Sequence, residues 1–177
     1  ACILRRRAAD ALAKAQTALE RQGYGLMVFD CYRPARAVRD LVSYALATPQ
    51  ALAPYHPRVG GADLLAQGYV ARRSGHSTGL AVDLTLIHLD AQKLASGGLP
   101  CGGPLASQEA DMGSGFDCFD PMAGDNAALT DDQKKRRTAL RDAMIAAGFT
   151  SYSREWWHFA LPPRDQAERQ SMDFTIR

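Results

Sequence analysis

The chain has 177 residues, 46% hydrophobic and 23% charged, with 21 Lys and Arg against 19 Asp and Glu for a net charge of +2. That is ordinary globular composition at a length that makes one domain, and the expected unit is residues 1–177. The charge is spread without a long basic run or aromatic residues interleaved among arginines, which excludes a nucleic-acid footprint and points to small substrates. No apolar stretch approaches the roughly 20 residues of a membrane-spanning helix, so a soluble protein is expected.

In chain order, residues 5–21 carry Ala8, Leu12, Ala15 and Leu19 at helical spacing among charged neighbours, and Gly23 stops the helix. Residues 24–29 (Y-G-L-M-V-F) read as a short buried strand that delivers Asp30, Cys31, Tyr32 and Arg33 at its end. Pro34 suits the first turn of a second helix running to Ala47. Residues 48–75 are punctuated by Pro and Gly, with one helical turn expected at 63–66. A second strand at 80–87 alternates through Val82, Leu84 and Leu86. Residues 97–127 hold seven glycines and three prolines, the composition of a long functional loop. Thr130 and Gln133 form a capping-box pattern, opening a helix that turns Leu140, Met144 and Ile145 inward before Gly148. Two strands, 150–153 and 156–161, close an α+β fold of helices on a small, mostly antiparallel sheet.

Cys2, Cys31, Cys101 and Cys118 lie in no C-x-x-C motif. The pairings Cys2 with Cys31 and Cys101 with Cys118 are geometrically plausible, against four reduced thiols as the alternative. If oxidised, they place the protein in the periplasm or outside the cell; if reduced, in the cytoplasm. The absence of an initiator Met and of a secretion signal makes Ala1 the expected start of a processed, trimmed or truncated product.

Two segments carry chemistry: Ser74-Gly75-His76-Ser77-Thr78-Gly79-Leu80-Ala81-Val82-Asp83 and Glu155-Trp156-Trp157-His158. Catalytic zinc takes three protein ligands and keeps a fourth position for water, and His76, Asp83 and His158 supply that set. Taken singly, each His is more often a hydrogen-bonded structural residue. Asp83 is harder to dismiss, because a carboxylate inside a strand needs compensation. Gly79 allows the bend that folds His76 back beside Asp83. Glu155 lies three residues before His158, on the opposite face of a straight strand, so it is expected in the preceding turn, where it can act as general base. Arg33 is a candidate for oxyanion stabilisation, or a surface arginine paired with Asp30. Asp117 is a candidate for holding a substrate ammonium. The Trp156 and Trp157 pair reads as core, with one ring lining the site. His56 and His88 are expected as solvent or loop residues.

These patterns resemble the D-alanyl-D-alanine dipeptidases of the VanX type, within the zinc DD-peptidase group that shares a fold with the hedgehog signalling domain. The S-x-H-x-x-G-x-A-x-D pattern matches from Ser74 to Asp83 and the E-x-W-H pattern at Glu155, Trp157 and His158. The segments Asp30-x-Tyr32-Arg33-Pro34 and Met112-Gly113-x-x-Phe116-Asp117 are similar to those bearing the family's transition-state arginine and ammonium-binding aspartate. The resemblance implies one zinc ion on His76, Asp83 and His158, Glu155 as base, Arg33 on the oxyanion, Ser74 and Asp117 on the substrate, and bacterial cell-wall dipeptides such as D-alanyl-D-alanine as substrates. Residues 91–110 look longer than in compact members. The competing readings are a D,D- or L,D-carboxypeptidase trimming peptidoglycan stems and a non-catalytic zinc-containing binding module; a structural site has no use for a base such as Glu155.

Overall fold

The computed structural model describes residues 2–90, 100–102 and 109–176. Helix α1 (Arg6–Glu20) leads into β1 (Tyr24–Asp30), followed by α2 (Ala35–Ala47), the short α3 (Gly61–Ala66) and β2 (Ala81–His88). Helix α4 (Asp131–Ala146) then precedes β3 (Thr150–Tyr152) and β4 (Glu155–Ala160). The strands form one antiparallel sheet in the order β1-β2-β4-β3, so the architecture is α+β as expected. Most of the long-loop expectation at 97–127, including Asp117, lies in described residues; residues 91–99 and 103–108 lie outside them, as does most of the long 91–110 stretch.

Local signals act as anticipated at several points. Ala8, Ala15 and Leu19 are buried on α1 as expected, joined by Ala11, while Leu12 is partly buried against the same core. Thr130 and Gln133 close both halves of a capping box on α4, a motif that satisfies two amide donors left over at a helix start. Gly148, at φ +100°, ends that helix region in a conformation that favours glycine.

Other expectations are corrected. Ile145 is half exposed, and α4 turns Leu140, Ala143 and Met144 inward instead. Strand β2 does send Val82, Leu84 and Leu86 into the core as their alternation indicated, and its other face is buried as well, where Asp83 faces the site described below. His88 ends β2 and packs against Tyr24 rather than standing beyond the strand. His56 is fully buried, with Nδ1 2.7 Å from the Val59 carbonyl and Nε2 3.2 Å from the Tyr44 hydroxyl.

The cysteines form the disulfides Cys2–Cys31 and Cys101–Cys118. Their sequence separations of 29 and 17 residues correspond to about 3–4 kcal/mol each of lost unfolded-state entropy. Reduction is therefore expected to lower the melting midpoint by roughly 5–15 °C per bond. Paired thermal melts with and without reductant check this, and coincident curves would refute it.

The segment beyond β4 returns to the site side of the molecule. Met172 N donates to the Ser77 carbonyl (2.8 Å), Ala35 N donates to the Met172 carbonyl (3.0 Å), and Phe174 stacks on Tyr32 at 4.1 Å between ring centres. These contacts tie the turn that carries His76 to the segment that carries Arg33.

Candidate metal and substrate site

Three neighbouring strands align polar residues across one face of the sheet. Asp30 of β1 pairs with Asp83 of β2, and Asp83 pairs in turn with His158 of β4. Between Val28 and Asp30 the β1 register shifts by one residue. In an unbroken ladder Asp30 would share the core-facing side of Val28; the bulge turns it onto the face of Asp83.

His76 reaches the same place from a 3-10 turn, Gly75–Thr78, immediately before β2. Ser74 caps the turn by accepting a hydrogen bond from His76 N (3.2 Å), and Gly79 closes it at φ +71°. The left-handed bend brings the imidazole back beside the strand it precedes, as the glycine suggested.

The donor atoms converge. His76 Nε2 lies 3.2 Å from Asp83 Oδ2 and 3.1 Å from His158 Nδ1, and His158 Nδ1 lies 2.9 Å from Asp83 Oδ1. A tetrahedral ion with bonds near 2.1 Å sets its ligand atoms about 3.4 Å apart, so a small outward adjustment of this set accommodates a small divalent cation. His76 Nδ1 is 2.7 Å from the Cys31 carbonyl. Donation of Nδ1–H to that oxygen leaves the Nε2 lone pair facing the cluster, an orienting contact of the kind metal-bound imidazoles use.

The electrostatics are those of a compact charged cluster. Burial works against the charge of Asp83, which is 3% exposed, but His76 and His158 outweigh burial and hold its carboxyl well below the usual range. Burial likewise works against protonated His76, yet Asp83 outweighs it and raises the imidazole.

A cavity of about 740 Å³ opens on this cluster, and Arg33, Ser74, His76, Asp83, Asp117, Glu155 and His158 all line it. Trp157 lines it as well, while Trp156 packs in the core with Nε1 donating to Ser114 Oγ at 3.0 Å. Glu155 corrects the expected placement: it is the first residue of β4, not part of the preceding turn. One step along β3, from Ser151 to Tyr152, spans the β4 stretch from Phe159 to Glu155. That irregularity breaks simple alternation and lets Glu155 and His158 face one cavity. Burial first, then repulsion from Asp83 and Asp117, lifts the Glu155 carboxyl well above its ordinary value.

Arg33 pairs with Asp30 and also lines the cavity. Its guanidinium holds Asp30 Oδ2 through Nε (2.9 Å) and Nη2 (2.6 Å), and still faces the cavity 3.9 Å from Asp83 Oδ2. Burial lowers its basicity, but Asp30, Asp83 and Asp117 outweigh that and raise it. Asp117 adopts φ +60°, which Asp tolerates better than most residues. Burial and then Asp83 push its carboxyl up to about 7.

Several cavity residues escaped the sequence reading. Val38, Leu41 and Tyr44 from α2, with Leu52, Tyr55 and Phe119, build an apolar wall. Helical spacing marks Val38 and Leu41 as buried, without saying that they face a cavity. The Cys31 carbonyl left no trace at all, since a backbone acceptor has no sequence signature.

The chain matches the family model described as D-ala-D-ala dipeptidase over residues 1–100 and 105–176. It is similar to the D-alanyl-D-alanine dipeptidase of Streptomyces coelicolor, 38% identical over 154 residues that cover 85% of this chain and 69% of the relative. The enzyme of that name from Enterococcus faecium is 36% identical over 175 residues, covering 96% of this chain and 77% of the relative. A third, from Enterococcus faecalis, is 37% identical over 154 residues. A metal-competent cluster beside a buried carboxylate, on a chain matched along nearly its whole length, identifies this protein as a member of the D-alanyl-D-alanine dipeptidase family of peptidases.

Proposed function

We propose that residues 1–177 form one zinc-dependent dipeptidase domain that hydrolyses D-alanyl-D-alanine or similar short D,D-dipeptides. The observation that carries this reading is the meeting of His76, Asp83 and His158 donor atoms at a cavity that also holds Glu155 and Asp117. His76 Nε2, His158 Nδ1 and an Asp83 oxygen would hold the ion, and two imidazoles with one carboxylate are a donor set that suits zinc. Bound zinc supplies Lewis acidity, polarising the amide carbonyl and lowering the pKa of water toward about 7.

The protein's own groups do the rest. Glu155 takes a proton from water as the water oxygen attacks the amide carbon, then passes that proton to the departing nitrogen as the C–N bond breaks. Arg33, steadied by Asp30, turns its guanidinium toward the oxyanion that develops on the former carbonyl oxygen. Asp117 accepts hydrogen bonds from the substrate ammonium, and the Ser74 hydroxyl contacts the peptide. The two disulfides support a periplasmic or secreted location.

Asp117 gives a separable test. Asp117→Asn is expected to raise KM for the free dipeptide about tenfold to a hundredfold, the worth of a hydrogen bond to a charged group. Only ionised Asp117 attracts an ammonium, and burial, the largest cause, holds its carboxyl above the ordinary aspartate value. KM of the parent enzyme should therefore climb as pH falls through that raised range, while that of Asp117→Asn stays flat. A variant with parental KM and pH response would remove Asp117 from recognition.

The size of the cavity favours one rival, a carboxypeptidase that accommodates a longer substrate on its amino side. Metal analysis of the purified chain, with rates on free and N-acylated D-alanyl-D-alanine, decides between them. The dipeptidase reading requires zinc and cleavage of the free form; preference for the N-acylated form would replace it with the carboxypeptidase.

A further inference from the structure

A free dipeptide carries two charges, and only the ammonium has so far been given a partner. Its carboxylate loses hydration on entering the cavity, which is costly without a cation or hydrogen-bond donors to replace the water. Two arginine residues, Arg33 and Arg73, line the cavity. Arg33 is already engaged with Asp30 through two hydrogen bonds and faces Asp83 at the reaction centre.

Arg73 is placed differently. Its one hydrogen bond among the described residues runs from Nη2 to the Arg169 carbonyl and is long, at 3.5 Å, and it forms no ion pair among them. Arg73 is exposed where the cavity meets a neighbouring pocket that Arg169 also lines, immediately before Ser74 and two residues from the turn that carries His76, so a modest swing of its long side chain turns the guanidinium to either side. The wall built by Val38, Leu41, Tyr44 and Leu52 offers no charge to an anion. A guanidinium presents paired N–H donors that match the two oxygens of a carboxylate.

We propose that Arg73 receives the C-terminal carboxylate of the substrate and is a specificity-determining residue of this site. The inference rests on the dipeptidase reading and extends it to the class of peptides with a free C-terminus. With Asp117 on the ammonium and Arg73 on the carboxylate, the cavity measures a zwitterion and selects dipeptides from both ends.

The test compares D-alanyl-D-alanine with its C-terminal amide on the parent chain, Arg73→Gln and Arg73→Lys, with melting midpoints and bound metal matched. The parent should prefer the acid. Arg73→Gln should raise KM for the acid about tenfold, leave kcat near parental and leave KM for the amide unchanged, so that the preference disappears. Arg73→Lys should recover part of it, because the charge returns without the planar fork. Retention of the full acid preference by Arg73→Gln overturns the proposal, as does an equal loss on both substrates, which marks a merely structural role. A parent inert toward both substrates overturns the dipeptidase reading and this inference with it, an outcome distinct from either.

Discussion

Replacing Glu155 by Gln is expected to leave the metal in place and to lower turnover of D-alanyl-D-alanine by about 10²–10⁴-fold, the usual worth of a positioned general base. The carboxylate is buried, lines the cavity with the three donor residues, and is not one of them. Gln keeps the shape and removes the basic oxygen. It also removes repulsion from Asp83 and Asp117, so the melting midpoint should hold or rise. Metal content, kcat and a thermal melt together check the claim. Because burial is the largest cause of the raised Glu155 value, and a bound cation offsets the repulsion from Asp83 rather than the burial, the acid limb of kcat, measured at saturating substrate, should lie above the ordinary glutamate range. A base works only when ionised, so activity falls as pH drops through that limb, and the limb should vanish in Glu155→Gln. Parental turnover in the variant would remove Glu155 from the mechanism.

His158→Ala is expected to abolish both metal retention and activity. His158 Nδ1 is within 3.1 Å of both other donor groups, and its loss leaves two protein ligands where catalytic zinc takes three. The variant also strips buried Asp83 of a partner. Leaving a buried acceptor without its hydrogen bond costs about 1–3 kcal/mol, which should lower the melting midpoint of the metal-free protein by several degrees. Dialysed variant should hold well under one ion per chain, with a rate at background that added zinc does not restore. A full equivalent of tightly held metal in His158→Ala would sink the ligand assignment.

Much of this site is legible in two short segments, because metal ligation needs particular side chains and local geometry that leave a sequence mark. The glycine at 79 announces the bend that returns His76 to Asp83, and the left-handed φ realises it. Glu155 shows the reach and the limit of that logic. Its distance from His158 correctly signalled a departure from simple alternation, but the departure is an irregularity inside the hairpin and not a turn before it. His56 was misread because neither its burial nor its bond to the Tyr44 hydroxyl depends on its immediate neighbours.

The sequence by itself determined where the longer helices run, the capping box of α4, the antiparallel α+β class, and the polar residues of the cavity. These follow from periodicities and spacings of a few residues, where one side chain constrains the next through the backbone they share. Tertiary structure alone decided that Asp30 turns onto the face of Asp83, that the Cys31 carbonyl orients His76, and that α2 supplies the apolar wall. Each joins segments far apart in the chain or acts through a backbone atom common to every residue, so each arises only when the strands pair and the helices pack.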